Sequence, residues 1–209
     1  MTQDEIFISG EGDAYFRRNK DHINHTFETD MILKLIKRNN LKPDRVFEAG
    51  CSSASRLEAL RKEYGCECYG IDPSYEAIEK GMRDYPRLSL SRSTISESRF
   101  ADQFFDMVIV NFVFHWIDRS LLLESCAKLD HCLKWGGYLI IGDFYKPGFV
   151  KRAYHHVDTE EMFTYKQCYP DIFLATGNYS IVASEIYPYD KTDDTGVVIL
   201  RKQNLSILE

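Results

Sequence analysis

The sequence predicts an α/β fold with a doubly wound, seven-stranded sheet and helices on both of its faces. Two observations support this fold class. As far as Gly142, apolar strand-like segments alternate with amphipathic helical ones, which is the signature of a parallel sheet covered on both sides. Two strand-like segments, 179–187 and 196–201, then follow each other across a polar turn, so the sheet ends in a strand pair without an intervening helix.

Apolar periodicity and turn residues place the elements before that pair. Met31 and Leu35 share one apolar stripe of the first helix, and Pro43 breaks the pattern after it. Gly65 is expected to end the second helix, and Ser74 to cap the third. The predicted helices are 29–39, 55–64, 75–83 and 121–133; the predicted strands are 45–49, 67–71, 88–92, 104–110 and 138–142, the last after a turn at Gly136-Gly137; residues 146–176 are expected to be irregular.

The composition is that of a globular protein with one domain. The chain has 209 residues, of which 44% are hydrophobic and 28% charged. Its formal net charge is −6 and its basic residues form no run, which argues against a dedicated nucleic-acid or membrane-surface binder. We predict an N-terminal arm at 1–28 and a single domain at 29–209, with an insertion at about 144–177.

Cysteine usage and the N-terminus indicate a cytoplasmic protein. The 6 cysteines show no zinc-type spacing, so we expect reduced thiols and no metal site. Residues 1–12 are acidic and lack the apolar core of a signal peptide. The longest apolar stretch, near 107–114, is too short to span a bilayer.

The end of the first strand has the features of a nucleoside site. Glu48 and Ala49 lead into the small-residue turn that starts at Gly50, and the second strand ends in Asp72. In such sheets ligands bind beyond the carboxyl ends of the strands, and a carboxylate in this place accepts hydrogen bonds from ribose hydroxyls. Ser52 and Ser55 replace two glycines of the dinucleotide pattern, so a cofactor without phosphates is favoured over NAD, with Glu48 near its cationic end.

Four segments in order resemble motifs of class I S-adenosylmethionine-dependent methyltransferases. VFEAGCSSASRLEAL resembles the first motif, YGIDPS the second, FFDMVIVNFVFHWI the fourth, and LKWGGYLIIGDF the strand that follows. The resemblance covers about residues 45–143 and implies a Rossmann-like fold with a reversed C-terminal strand and S-adenosylmethionine as cofactor. It implies that Glu48, Gly50 and the turn hold the methionine part of this cofactor and that Asp72 holds its ribose.

The chain departs from this family pattern in two places. Ser52 and Ala54 stand where the second and third turn glycines are usual, so we expect a stiffer loop. The acid that often contacts the adenine amino group falls on Ser96, which leaves Ser96, the adjacent Glu97 or backbone groups for that contact. The residues predicted to bind the cofactor are Tyr15, Arg17, Glu48, Gly50, Cys51, Ser52, Asp72, Pro73, Ile95, Ser96, Glu97 and Asn111.

The arm and the fourth strand are the predicted borders of the reaction site. In many relatives such an arm folds over the cofactor; here Tyr15 and Phe16 would cover it and Arg17 or Arg18 would pair with its carboxylate, the alternative being a frayed terminus. Methyl transfer needs the nucleophile in line at ~3–3.5 Å. His115 is either a general base for the acceptor or a packing residue beneath the cofactor.

The insertion is predicted to border the acceptor. Lys146, Arg152 and Lys166 lie among aromatic residues and suit a pocket for an anionic or sugar-like molecule, or the segment is a flap that only covers the sheet. Neighbouring His155 and His156 point apart in extended chain, so neither is expected to bind metal. The residues predicted to bind substrate are Phe114, Tyr145, Arg152, Tyr154, His155 and His156.

The acceptor is predicted only as a class. The wording of the arm, with ECYGIDPS and GGYLIIGDFY, resembles small methyltransferases of bacterial surface-polysaccharide pathways, which implies O-methylation of a sugar, a sugar nucleotide or a glycan-modifying metabolite. No N-P-P-Y run is present, so a DNA N-methylase is not expected. The rival functions are a non-catalytic adenosylmethionine-binding module and an NAD-dependent oxidoreductase. The sequence does not predict the oligomeric state.

Overall fold

A computed structural model describes residues 1–156 and 162–203. Seven strands form one sheet in the order β3-β2-β1-β4-β5-β9-β8, and β9 runs antiparallel to both of its neighbours, whereas β1 to β5 pair in parallel. The predicted doubly wound fold with a reversed C-terminal strand is therefore confirmed. The strands of this sheet are β1 (Arg45–Ala49), β2 (Glu67–Asp72), β3 (Ser89–Arg92), β4 (Phe105–Asn111), β5 (Leu133–Tyr145), β8 (Tyr179–Pro188) and β9 (Asp194–Lys202).

The helices begin and end at residues whose side chains or conformation explain the boundary. Asp30 accepts a hydrogen bond from the Leu33 amide at 2.9 Å, and Ser74 accepts one from the Ala77 amide at 3.0 Å. Gly65 adopts a φ of 72° at the end of its helix, as predicted. The α-helices are α1 (Gln3–Ile6), α2 (Gly12–Asn19), α3 (Met31–Arg38), α4 (Ser55–Tyr64), α5 (Tyr75–Asp84), α6 (Leu122–Cys132) and α7 (Pro170–Leu174).

The sheet separates two apolar cores. Phe47 and Ala49 of β1 face one core and Val46 faces the other, as alternation along a strand requires. Because β1 is covered on both faces, Glu48 is buried on the side of α3 and α4 together with Val46. A charged side chain is thus placed inside the protein directly beside the end of the first strand.

Two local predictions were wrong. The predicted turn at Gly136-Gly137 lies within β5, because the strand already pairs with β4 at Leu133 and a register shift before Tyr138 accommodates the glycines. The insertion is not uniformly irregular: β6 (Val150–Ala153) and β7 (Phe163–Lys166) form a separate antiparallel pair, and α7 follows. Strands of 4 residues are too short for a period of two to stand out in the sequence.

All 6 cysteines are unbonded, and the Sγ atoms of Cys66 and Cys68 lie 3.5 Å apart on one side of β2. None of the helices in the described parts of the chain is long and apolar enough to cross a lipid bilayer.

Candidate functional site

A cleft with a volume of about 390 Å³ lies at the carboxyl ends of β1, β2 and β4, where this fold class binds ligands. The N-terminal segment forms its roof. Of the predicted cofactor residues, eight line this cleft: Tyr15, Gly50, Cys51, Ser52, Asp72, Pro73, Ile95 and Asn111. Lining residues that the sequence did not indicate include Asp4, Phe7, Asn19, Arg56, Thr94 and Tyr189.

The turn after β1 has the backbone of a glycine-rich turn although it contains one glycine. Gly50, Ser52 and Ala54 have φ values of 71°, 49° and 63°. The left-handed conformation costs a residue with a side chain roughly 1–2 kcal/mol, so Ser52 and Ala54 store strain at the site. A Cβ atom on Gly50 would lie 2.2 Å from Val113 Cγ2, so only glycine allows the turn and the β4 wall to approach this closely.

The turn is held to the end of β2 by its own amides. The Gly50 and Cys51 amides donate to the Ile71 carbonyl at 2.8 and 3.0 Å, and the Ser52 amide donates to Asp72 Oδ2 at 2.8 Å. These three N–H groups are therefore used within the protein, which leaves the small side chains and the close backbone of the turn to border the cleft.

Asp72 supplies a hydrogen-bond-accepting carboxylate to the lining of the cleft. Its second carboxylate oxygen accepts the Ser74 amide at 2.9 Å, so each oxygen keeps a lone pair for a further donor. Burial raises the pKa of Asp72 to about 6, against the two amide hydrogen bonds, which lower it. A ligand that donates two hydroxyls to this carboxylate would relieve the missing solvation.

A buried ionic network lies beneath the methionine end of the predicted site. Arg56 donates to Glu48 through Nη1 and to Asp30 Oδ2 at 2.9 and 3.1 Å, and His25 Nδ1 is 2.8 Å from the same Asp30 oxygen. Although burial opposes its ionisation, His25 and Arg56 hold the pKa of Asp30 well below its usual range. Arg56 and His25 line the cleft; Glu48 is buried behind Arg56, and within the described chain its Oε2 has no hydrogen-bond partner.

The wall after β4 is formed by Phe112, Val113 and Trp116, with His115 behind it. Phe112 has a φ of 54° and donates its amide to the Gly142 carbonyl at 2.7 Å, which turns the chain across the cleft. His115 is 3% exposed, and its Nδ1 lies 2.9 Å from Asp143 Oδ1. Trp116 therefore lines the cleft, whereas His115 is not among the described residues that line it.

The roof is fixed to the rim of the cleft at both ends. Asp13 of α2 accepts hydrogen bonds from the Ser74 hydroxyl at 2.7 Å and from the Glu76 amide at 3.0 Å. The Gln3 side chain donates to the Trp116 carbonyl at 2.6 Å and accepts the Phe163 amide at 2.7 Å. Of the two predicted arginines, Arg17 pairs with half-buried Glu76, and Arg18 pairs with Glu11 and with Tyr154. Neither arginine lines the cleft.

The predicted substrate residues lie around the cleft rather than on it. Tyr154 is buried between the roof and Trp116, with its hydroxyl donating to Glu11 at 2.9 Å. Phe114 is buried against Tyr169, Tyr145 is half-buried near Cys168, and His155 and His156 are exposed with ring centroids 3.9 Å apart.

The cations of the insertion converge on one carboxylate. Asp193 is contacted by Lys146, Arg152 and Lys166 at 3.1, 2.8 and 2.6 Å. Although burial opposes the ionisation of Asp193, these cations lower its pKa to about 2. This cluster ties the insertion to the β8–β9 turn. The same turn places Tyr189 in the lining of the cleft.

At the other end of the cleft, Ser96 and Glu97 have different environments. The Ser96 hydroxyl donates to Asp4 Oδ2 at 3.2 Å, Glu97 is exposed, and neither lines the cleft, whereas Asp4 does. Asp4 comes from a position 92 residues earlier, so no local sequence pattern connects it with this loop.

Comparison with known proteins bears on this cleft directly. Residues 47–141 match a family model described as a methyltransferase domain. This stretch contains the turn, Asp72 and the β4 wall. The sequence likeness to methyltransferases is therefore located at the cleft.

Two curated proteins and one solved structure illustrate the likeness. The chain is 25% identical over 121 residues to a carboxy-S-adenosyl-L-methionine synthase of Colwellia psychrerythraea, covering 54% of this chain and 50% of that protein. It is 28% identical over 120 residues to a ribosomal protein L11 methyltransferase of Helicobacter acinonychis, covering 55% of this chain and 36% of that protein. The chain thus spans half or less of the length of these two curated relatives.

The fold comparison covers more of the chain. The structure of a Burkholderia thailandensis 1,6-didemethyltoxoflavin-N1-methyltransferase, with 1,6-didemethyltoxoflavin and S-adenosylhomocysteine bound, superposes with a TM-score of 0.66 at 19% identity, over 82% of this chain and 76% of that one. The chain therefore shares the fold of that enzyme. A nucleoside cofactor such as S-adenosylmethionine fits the carboxylate of Asp72, the close-packed turn and the size of the cleft.

Proposed function

We propose that this protein transfers the methyl group of S-adenosylmethionine to an oxygen of a small polar acceptor. The observation that carries the proposal is Asp72, a carboxylate with free lone pairs beside the β1 turn in a cleft roofed by the N-terminal segment. In this proposal residues 1–28 act as the roof and residues 29–209 as the catalytic domain.

Bound S-adenosylmethionine supplies an activated methyl group, so the protein has mainly to position the acceptor and exclude water. Asp72 holds the ribose, and the turn from Gly50 to Ser52 adjoins the methionine part. Phe112 and Trp116 form an apolar wall beside the reacting centre, and the roof residues Phe7 and Tyr15 close the cleft from above. Catalysis then rests on orientation more than on proton transfer.

We propose a sugar, a sugar nucleotide or a glycan-modifying metabolite as the acceptor class. The lining of the cleft combines the aromatic rings of Tyr15 and Tyr189 with the polar side chains of Asn19 and His22, a combination that suits a hydroxylated ring. The net charge of −6 does not favour nucleic acid as substrate. A cytoplasmic location fits the unbonded cysteines.

The binding half of the proposal is tested by calorimetry with S-adenosylhomocysteine and with NAD. We expect S-adenosylhomocysteine to bind and NAD not to bind, because Ser52 and Ser55 occupy two glycine positions of a dinucleotide turn. Binding of NAD alone would contradict the proposal. Release of S-adenosylhomocysteine from S-adenosylmethionine in the presence of sugars and sugar nucleotides then tests turnover; binding without turnover across acceptor classes would favour a non-catalytic binding module.

For His115 we propose a positioning role, with Asp143 holding the ring behind the wall. We expect His115→Asn to lower the melting temperature and weaken S-adenosylhomocysteine binding, because the ring packs on Trp116 and Phe144 at centroid distances of 4.6 and 5.0 Å. The rate at saturating cofactor should fall less than ~10-fold, short of the ~10²–10⁴-fold that loss of a general base causes. Thermal unfolding and turnover measure the two effects. A larger rate loss with unchanged binding would make His115 the base.

A further inference from the structure

The adenine end of the cleft lacks the expected acid on its own loop. Three groups line the cleft one after another: the turn at Gly50 after β1, Asp72 at the end of β2, and Thr94 with Ile95 after β3. Asp72 lies beside the segment after β3, because the Ser93 amide donates to the Asp72 carbonyl at 3.1 Å. A ligand whose ribose lies on Asp72 and whose amino-acid part lies at Gly50 therefore has its base at Thr94 and Ile95.

Neither candidate on that loop is available for the base. The Ser96 hydroxyl donates to Asp4 and lies 3.0 Å from Thr94 Oγ1, and its carbonyl accepts Lys128 Nζ. Glu97 is exposed outside the cleft. Neither of the two side chains that follow Ile95 lines the cleft.

Asp4 is the carboxylate that lines this end of the cleft in place of Ser96 and Glu97. Its Oδ2 accepts the Ser96 hydroxyl at 3.2 Å and its Oδ1 accepts the Asp118 amide at 3.2 Å, so it bridges the two loops that flank the base, and it lines the cleft. Each oxygen keeps a lone pair. Burial raises the pKa of Asp4, against the Asp118 and Ser96 hydrogen bonds, so the carboxylate is short of donors in the unliganded protein.

We infer that Asp4 accepts a hydrogen bond from the exocyclic amino group of the cofactor's adenine, so that the N-terminal segment itself reads the base. This inference rests on the proposed function and deepens it. It makes Asp4 a specificity-determining residue for adenine over purines without a 6-amino group. It also makes the roof part of the cofactor site, since α1 carries a ligand contact as well as the Gln3 anchor.

The test compares S-adenosylhomocysteine with its analogue that carries purine in place of adenine, by calorimetry on the full chain. We expect the wild type to bind S-adenosylhomocysteine roughly 10- to 100-fold more tightly than the purine analogue, the range of a hydrogen bond to a charged group. In Asp4→Ala this ratio should fall close to one. Asp4→Asn, which keeps the shape and one acceptor oxygen, should lie between the two.

Asp21→Ala is the matched control, because it removes an exposed carboxylate from the same arm outside the cleft; it should keep the wild-type ratio. An affinity ratio that stays at the wild-type value in Asp4→Ala would overturn the inference. If both ligands bound equally more weakly, Asp4 would only tie the roof down; if neither affinity changed, Asp4 would have no part in cofactor binding. If the wild type bound neither compound, the proposed function would fail together with this inference. If the wild type bound S-adenosylhomocysteine and Asp4→Ala did not change the ratio, only this inference would fail.

Discussion

Replacing Arg56 with alanine should lower the free energy of unfolding by about 3–5 kcal/mol, the range for a buried ion pair that loses one partner. Arg56 is 4% exposed and is the shared partner of Glu48 and Asp30, which are also buried. The variant leaves Glu48 without its cation inside the protein and leaves Asp30 with His25 but without Arg56. Chemical denaturation at neutral pH measures the loss.

Lys62→Ala is the matched control for this experiment. Lys62 lies on the same helix and pairs with Glu58 at 3.4 Å, but its side chain is 68% exposed, so its loss should change stability by less than about 1 kcal/mol. An Arg56 variant as stable as the Lys62 variant would contradict a structural role for the network. Because the network underlies the turn, we also expect weaker cofactor binding in the Arg56 variant.

Asp72→Ala should weaken S-adenosylhomocysteine binding by roughly 10- to 100-fold while the protein stays folded, since hydrogen bonds to charged groups contribute about 1.5–3 kcal/mol. The wild type should also bind less tightly at low pH. The free-protein pKa of Asp72 is raised to about 6, and ribose donors favour the ionised carboxylate, so affinity is full above that pH and falls as the pH drops through it. The decrease should approach tenfold per pH unit.

Calorimetry between about pH 5 and 8 tests both statements. Asp84→Ala, which removes an exposed carboxylate at the end of α5, is the control and should keep the wild-type affinity and pH profile. Unchanged affinity in a folded Asp72 variant would exclude the ribose contact. A wild-type affinity independent of pH would show that the carboxylate remains ionised throughout.

The parts of the fold that the sequence predicts well are those determined by local periodicity. The strand Arg45–Ala49 and the helix Ser55–Tyr64 have the predicted bounds, and Gly65 and Ser74 end and begin helices as expected. The pair β6 and β7 was missed because short strands in an aromatic-rich segment carry no readable alternation.

For the candidate site, the sequence by itself determined the elements in which order and local chemistry coincide: the parallel sheet, the turn at Gly50 and the carboxylate of Asp72 at the next strand end. Only the tertiary structure decided how charges and loops distant in the chain meet. It paired Glu48 with Arg56 and Asp30, put His115 behind the wall on Asp143, and brought Asp4 across 92 positions to Ser96. The physical reason is that periodicity and motif spacing report the strand ends, whereas buried carboxylates take whichever cations and donors the packed chain brings within hydrogen-bond distance.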